Sequence, residues 1–142
     1  MKISVLDASN YFKGLLLLMR KDRQVTEPEI AMMKRVGKTL DFESEFCEHA
    51  IRDILSNRYI EDSPPVFSSG DLAVRFLRDG LAFAFSDNQC DPAEEEWLKA
   101  IAERNGIDAA LFSRERESAA ANKGIPARME VDDITVNHRT GG

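Results

Sequence analysis

Cysteine, histidine and tryptophan are scarce in this 142-residue chain, with two, two and one respectively, and each scarcity excludes a class of protein. Cys47 and Cys90 are too few for a disulfide framework, and their separation matches no zinc-ligand spacing. A reducing, cytoplasmic setting fits them best. His49 stands beside Glu48, Arg52 and Asp53, where a solvated helix face is expected, and His138 falls near the C-terminal end, so no histidine-centred catalytic pair is read. No glycine-rich phosphate cradle is present, and Ser68-Ser69-Gly70 lacks a neighbouring base and reads as a helix cap. No apolar run approaches the roughly 18–20 residues of a membrane span. The short run Leu15–Met19 follows Lys13 and Gly14 and is not followed by a small-residue cleavage site, so no signal peptide is expected. Positive charge is also in deficit: 19 Lys and Arg against 25 Asp and Glu give a net charge of −6. That balance disfavours nucleic acid and anionic lipid. It is compatible with cations or basic partners, and a protein partner and a homodimer are further expectations.

What remains is a globular composition, 43% hydrophobic and 31% charged, with helical periodicity almost throughout. Ala8, Tyr11, Phe12, Leu15, Leu16 and Met19 form one continuous stripe, and Ala73, Phe76, Leu77, Gly80, Leu81 and Ala84 form another. The segments "LLLLM" and "LAFAF" are apolar on nearly every side, which predicts two buried central helices. Thr26 with Glu29, and Asp91 with Glu94, have capping-box spacing with Pro28 and Pro92 in the first turns. The helix after Thr26 is expected to bury Ile30, Met33, Val36 and Leu40. A third helix starting near Ser44 is expected to bury Phe46, Cys47, Ala50, Ile51, Ile54 and Leu55. Asn57–Gly70 is the one long break. The helix after Asp91 is expected to bury Trp97, Leu98 and Ile101 and to stop near Gly106, and a last helix runs from Asp108 to the Ala119–Ala121 stretch. Trp97, Met32 and Met33 read as core or a partner-helix face. Strand signals are confined to Met129–Val136. The predicted architecture is all-α: a bundle of about six helices over residues 1–123, with residues 124–142 an extended C-terminal tail outside the core.

A shift of 65 positions lays Ala8 on Ala73, Asp22 on Asp87, Gln24 on Gln89, Glu29 on Glu94 and Lys34 on Lys99. Val36 then falls on Ile101 and Phe42 on Ile107, so the bundle reads as a pseudo-symmetric pair of helix–turn–helix units over roughly residues 8–46 and 73–111. Each unit carries the same turn, "DRQVTEPE" at Asp22–Glu29 and "DNQCDPAE" at Asp87–Glu94. Two explanations stand side by side. Glu29 and Glu94 serve as N3 residues of capping boxes, with Val25 and Cys90 as staples and Asp22 and Asp87 closing the preceding helices by Asx-turns. Alternatively, the aspartates, which oppose the macrodipole at a helix C-terminus by ~0.3–1 kcal/mol, hold a hard cation with turn carbonyls and water. No EF-hand is present, since position twelve from either aspartate is Met33 or Leu98.

The repeated Asp-x-x-apolar-x-x-x-Glu pattern at a helix–helix turn resembles the TerB-like (tellurite-resistance protein) family over about residues 8–111. The resemblance implies a helical bundle, not an enzyme, linked to metal or tellurite stress. It implies divalent cations as ligands, of which oxygen-only donors suit Ca²⁺ or Mg²⁺, and carries the metal role to Asp22, Glu29, Asp87 and Glu94. The family commonly reads Asp-Gly at the turn, whereas this chain has Asp22-Arg23 and Asp87-Asn88. No His-Pro-Asp triplet occurs, so the co-chaperone activity of related domains is not implied. The alternative reading is an acidic helical protein–protein interaction module without a metal site.

Overall fold

Both apolar stripes become central helices. In the computed structural model, which describes residues 1–21, 25–57, 63–86, 90–122 and 128–137, Ser4 caps α1 (Val5–Arg20) by accepting the Asp7 N–H at 3.1 Å. Ser69 caps α4 (Gly70–Ala84) by accepting the Leu72 N–H at 3.2 Å. Every residue of the two stripes is buried. Leu15–Met19 is buried on all sides, and Leu16 and Leu81 belong to one continuous core. Each such side chain contributes roughly 1.5–3 kcal/mol on leaving water. Tyr11 and Phe76, which the 65-residue offset pairs, meet edge-on with centroids 5.2 Å apart, the arrangement aromatic quadrupoles prefer.

The helices that follow each central helix are built with the same devices. α2 (Glu27–Thr39) and α5 (Pro92–Arg104) both open with a capping box and a proline in the first turn. Both close on a left-handed residue, Asp41 at φ 67° and Gly106 at φ 69°. In each case a Schellman motif forms. The Phe42 N–H reaches the Gly37 carbonyl at 2.9 Å, and the Ile107 N–H reaches the Ala102 carbonyl at 2.8 Å. Glycine enters that conformation without a Cβ penalty, and aspartate is among the few other residues that tolerate it. The chain then turns back into α3 (Ser44–Ser56) and α6 (Ala109–Ala121). α3 packs on α1 and α2, α6 packs on α4 and α5, and α1 and α4 join the two triplets. The Arg20 guanidinium donates to the Ile54 and Asn57 carbonyls at 3.5 and 2.9 Å, closing the C-terminal end of α3. The Lys21 ammonium stands 5.4 Å from the centre of the Trp97 ring, tying the end of α1 to α5.

The architecture is the expected all-α bundle, with six helices among the described residues and a minimal strand pair. None of those helices is long and apolar enough to cross a membrane.

Three local expectations are corrected. Phe46 is not on the inner face of α3 but 50% exposed, because it stacks on Phe42 at the helix edge (5.1 Å between centroids) and leaves the core to Cys47, Ile51 and Ile54. Ile30, expected to be buried, is only partly so, whereas Met32, Met33 and Trp97, read as core or a partner-helix face, are all buried. Most consequentially, Met129, Val131 and Ile134 are buried rather than scattered anchors outside the core. Glu130–Asp133 form a 3₁₀ turn against α2 and α4, and β2 (Thr135–Asn137) pairs in parallel with β1 (Lys2–Ser4). Strands of three residues carry too little pattern to be read, and this pair joins segments about 130 residues apart, so the sheet is a tertiary outcome. Removing residues 129–142 is therefore expected to lower the melting temperature by at least about 5 °C or abolish cooperative melting, given that about 1 kcal/mol moves a domain of this size by several degrees. Calorimetry of the truncated chain checks this, and an unchanged melting temperature would return the segment to the periphery.

Candidate functional site

Of the two turns singled out by the sequence, residues 25–29 and 90–94 are among those described. Glu29 and Glu94 are buried at the starts of α2 and α5. Glu29 Oε1 accepts the Thr26 N–H at 3.1 Å and the Thr26 hydroxyl at 2.8 Å, while Thr26 Oγ1 accepts the Glu29 N–H. Glu94 Oε1 accepts the Asp91 N–H at 3.3 Å, and Asp91 Oδ1 accepts the Ala93 N–H at 2.8 Å. Both glutamates thus do the capping work that their spacing predicts, each committing one oxygen to it. Asp22 and Asp87, their intended co-ligands, lie outside the described residues, so the fit of a cation turns on them. Among the described residues, no group of three or more His, Cys, Asp or Glu side chains stands close enough to hold a metal ion.

The two cysteines are held as thiols. Burial, with the Glu48 charge second, pushes Cys47 up. Burial, then Glu94 and Glu95, pushes Cys90 up to about 12. A thiol without thiolate character is a poor nucleophile and a poor metal ligand near neutral pH. His49 is exposed, as expected of a solvated face.

Two carboxylates missed by the sequence reading are buried by the fold. Asp7 accepts the Ser68 N–H at 3.1 Å and the Ser68 hydroxyl, fastening the segment before α4 to the start of α1. Asp79, inside the apolar stripe of α4, accepts the Tyr11 hydroxyl at 2.5 Å and the Glu130 and Val131 N–H groups at 2.7 and 3.0 Å. It therefore caps the 3₁₀ turn from another part of the chain. The signal was present in "LRDGLAFA", where one acid interrupts a core-facing row.

Two of the surface clefts lie between the outer helices of each half. The first lies between α2 and α3, about 680 Å³, lined by Lys34, Arg35, Lys38, Phe42, Ser44 and Cys47. Gly37 lets the two helices approach, since a Cβ there would stand 2.3 Å from Cys47 Sγ. The second lies between α5 and α6, about 360 Å³, and includes Glu95, Glu96, Lys99, Glu103, Ile107 and Phe112 in its lining. The 65-residue offset carries Lys34 onto Lys99, Phe42 onto Ile107 and Cys47 onto Phe112, but Lys38 onto Glu103 and Arg35 onto Ala100. The first cleft has three bases and no acid in its lining. The second has three acids against Lys99 and Arg116, and Arg116 is paired with Glu95.

Comparison of the chain with protein-family models, characterised proteins and solved structures finds no match.

Asp79 gives this region a definite pH signature. Burial raises its carboxyl from 3.8 to about 6, against the lowering effect of the bonds from Tyr11, Glu130 and Val131; the nearby Glu130 charge adds to the rise. Tyr11 is raised in turn, by burial first and by Asp79 second, with Arg75 the opposing cation. A carboxyl raised in the folded state binds its proton more tightly there than when unfolded. Its stabilising contribution is complete below about 3.8 and is lost as pH rises through about 6. The difference corresponds to roughly 3 kcal/mol. Asp79→Asn should remove this pH dependence and destabilise the protein at every pH, because an amide N–H₂ replaces one acceptor facing three donors. Denaturation of both proteins from pH 4 to pH 7 should show the stability gap narrowing as pH rises. A constant gap would show that Asp79 does not titrate in that range.

Proposed function

We propose that this chain is a non-enzymatic, internally repeated helical module whose two halves each offer a side-chain cleft to a partner protein. The observation that supports this reading most is the equivalence of the two clefts under the 65-residue offset together with their exchange of charge. Helix pairs with matching caps and matching Schellman turns frame both clefts, so the scaffolding is common. The residues that differ are those a bound partner would touch. Catalysis finds less support: Cys47 and Cys90 are held as thiols, His49 faces solvent, and three donors engage Asp79. The free thiols fit a reducing, cytoplasmic setting.

Titration of ¹⁵N-labelled protein with amphipathic helical peptides, one glutamate-rich and one lysine-rich, tests the reading. Saturable amide shifts confined to α2–α3 or to α5–α6 are expected. Shifts spread evenly over the bundle, or absent with both peptides, would overturn it.

A second reading follows from the resemblance to the TerB-like family: binding of Ca²⁺ or Mg²⁺ at the two acidic turns, in the setting of metal or tellurite stress. It is favoured by the matched burial of Glu29 and Glu94 at helix starts where each turn ends. Calorimetric titration of chelator-treated protein with either ion should then give saturable heat, lost in Asp87→Asn and weakened in Asp22→Asn, where Arg23 adjoins the site. The metal-free melting temperature should hardly change in either variant. No heat up to roughly millimolar ion, the weak end of protein calcium sites, would leave both turns as helix caps.

A further inference from the structure

We infer that the cleft between α2 and α3 receives an acidic amphipathic helix of a partner protein, its carboxylates facing Lys34 and Lys38 and an apolar side chain resting on Phe42 and Phe46. The inference rests on the interaction-module reading and names the partner for one of its two clefts. Its first support is charge: on a chain of net charge −6, three bases line this one cleft. Complementary potential steers an acidic partner to such a site and repels basic ones. Its second support is the half-exposed Phe46, stacked on Phe42, which itself lines the cleft. Aromatic residues, phenylalanine among them, are enriched where protein interfaces bury their surface. Phe42 is braced from behind by Phe12 of the core, 5.6 Å between centroids, so the platform is preorganised.

The shape of the charge argues for a helix rather than a small anion. Lys34 lies 4.0 Å from Glu48 with both side chains about half exposed, and Arg35 is bound to Asp132 at 2.6 Å. Two of the three bases thus already face carboxylates of the chain, which disfavours a compact phosphate group. Lys34 and Lys38 stand one turn apart on the exposed side of α2, a spacing that carboxylates at i and i+4 of a docked helix can match. A second copy of this chain is a poorer occupant. Its most acidic lining is itself a cleft, and Glu95 there is already paired with Arg116.

The test uses the full chain and a fluorescein-labelled helical peptide of roughly 18 residues, about five turns, with leucines on one face and glutamates flanking them. Control peptides carry serine for leucine or lysine for glutamate. Saturable binding of the glutamate–leucine peptide is expected, weakening as salt rises. Lys34→Glu with Lys38→Glu should reduce affinity by roughly tenfold or more, and Phe46→Ser by roughly tenfold. Glu96→Lys and Glu103→Lys in the other cleft should change it by less than about twofold, as distant sites act independently. All these positions are exposed, and each variant is first shown to melt like the parent chain. Equal binding of the serine peptide, or indifference to the Lys34 and Lys38 reversals, would overturn the inference. So would concentration-dependent self-association abolished by those reversals, which would make a second copy the occupant. Binding of the lysine peptide alone would overturn it while leaving the interaction-module reading intact. Failure of every peptide would end both.

Discussion

Three donors from two distant parts of the chain converge on Asp79, and the closure of the fold depends on that convergence. The Tyr11 hydroxyl brings α1 to α4, and the Glu130 and Val131 N–H groups bring the 3₁₀ turn onto the same carboxylate. The first N–H groups of a short helix have no partner of their own, and burying them unpaired costs roughly 1–3 kcal/mol each. Asp79 satisfies two of them, which lets Val131 enter the core fully. Ion pairs then surround the junction: Arg75 and Arg78 hold Glu130, and Arg35 holds Asp132. With the 3₁₀ turn fixed in this way, the chain leaves it in the direction that lays β2 beside β1.

The two halves of the bundle share their backbone punctuation more closely than their surfaces. Proline in the first turn, a buried glutamate at the cap and a left-handed residue at the close recur in α2 and α5. These are the features that decide where a helix starts and stops, and a change in any of them would move every contact of the helix behind it. Side chains on the outer faces are under no such constraint. Lys38 and Glu103 stand at matching positions with opposite charge without disturbing the helices that carry them. The same frame can thus support two surfaces of different chemistry.

Legibility in the sequence followed the range of the interactions concerned. The stripes of α1 and α4, the capping boxes and the stop at Gly106 depend on residues within one or two turns, and all were readable. Phe46 was misassigned because helical periodicity gives the direction of a face but not its width; the neighbour Phe42, itself only partly buried, drew the ring to the rim of the core. The burial of Met129, Val131 and Ile134 could not be read locally, because it depends on Asp79 some 50 residues away. Of the four proposed cation ligands, Glu29 and Glu94 were readable as caps, and Asp22 and Asp87 lie outside the described residues. The clefts depend on how α3 and α6 pack across α2 and α5, which the sequence pattern does not carry.

The parallel pairing of β1 with β2 has a mechanical consequence. The strands run in the same direction, Lys2 opposite Thr135 and Ser4 opposite Asn137, and the Thr135 N–H also reaches the Met1 carbonyl at 2.8 Å. Tension applied between Met1 and Asn137 therefore pulls the strands past one another along their length, so that their hydrogen bonds bear the load together in shear. An antiparallel pair tethered at one end would instead open like a zipper, one bond at a time. The small ladder thus works as a clasp, and an extending force must break it before it can draw on the helices within.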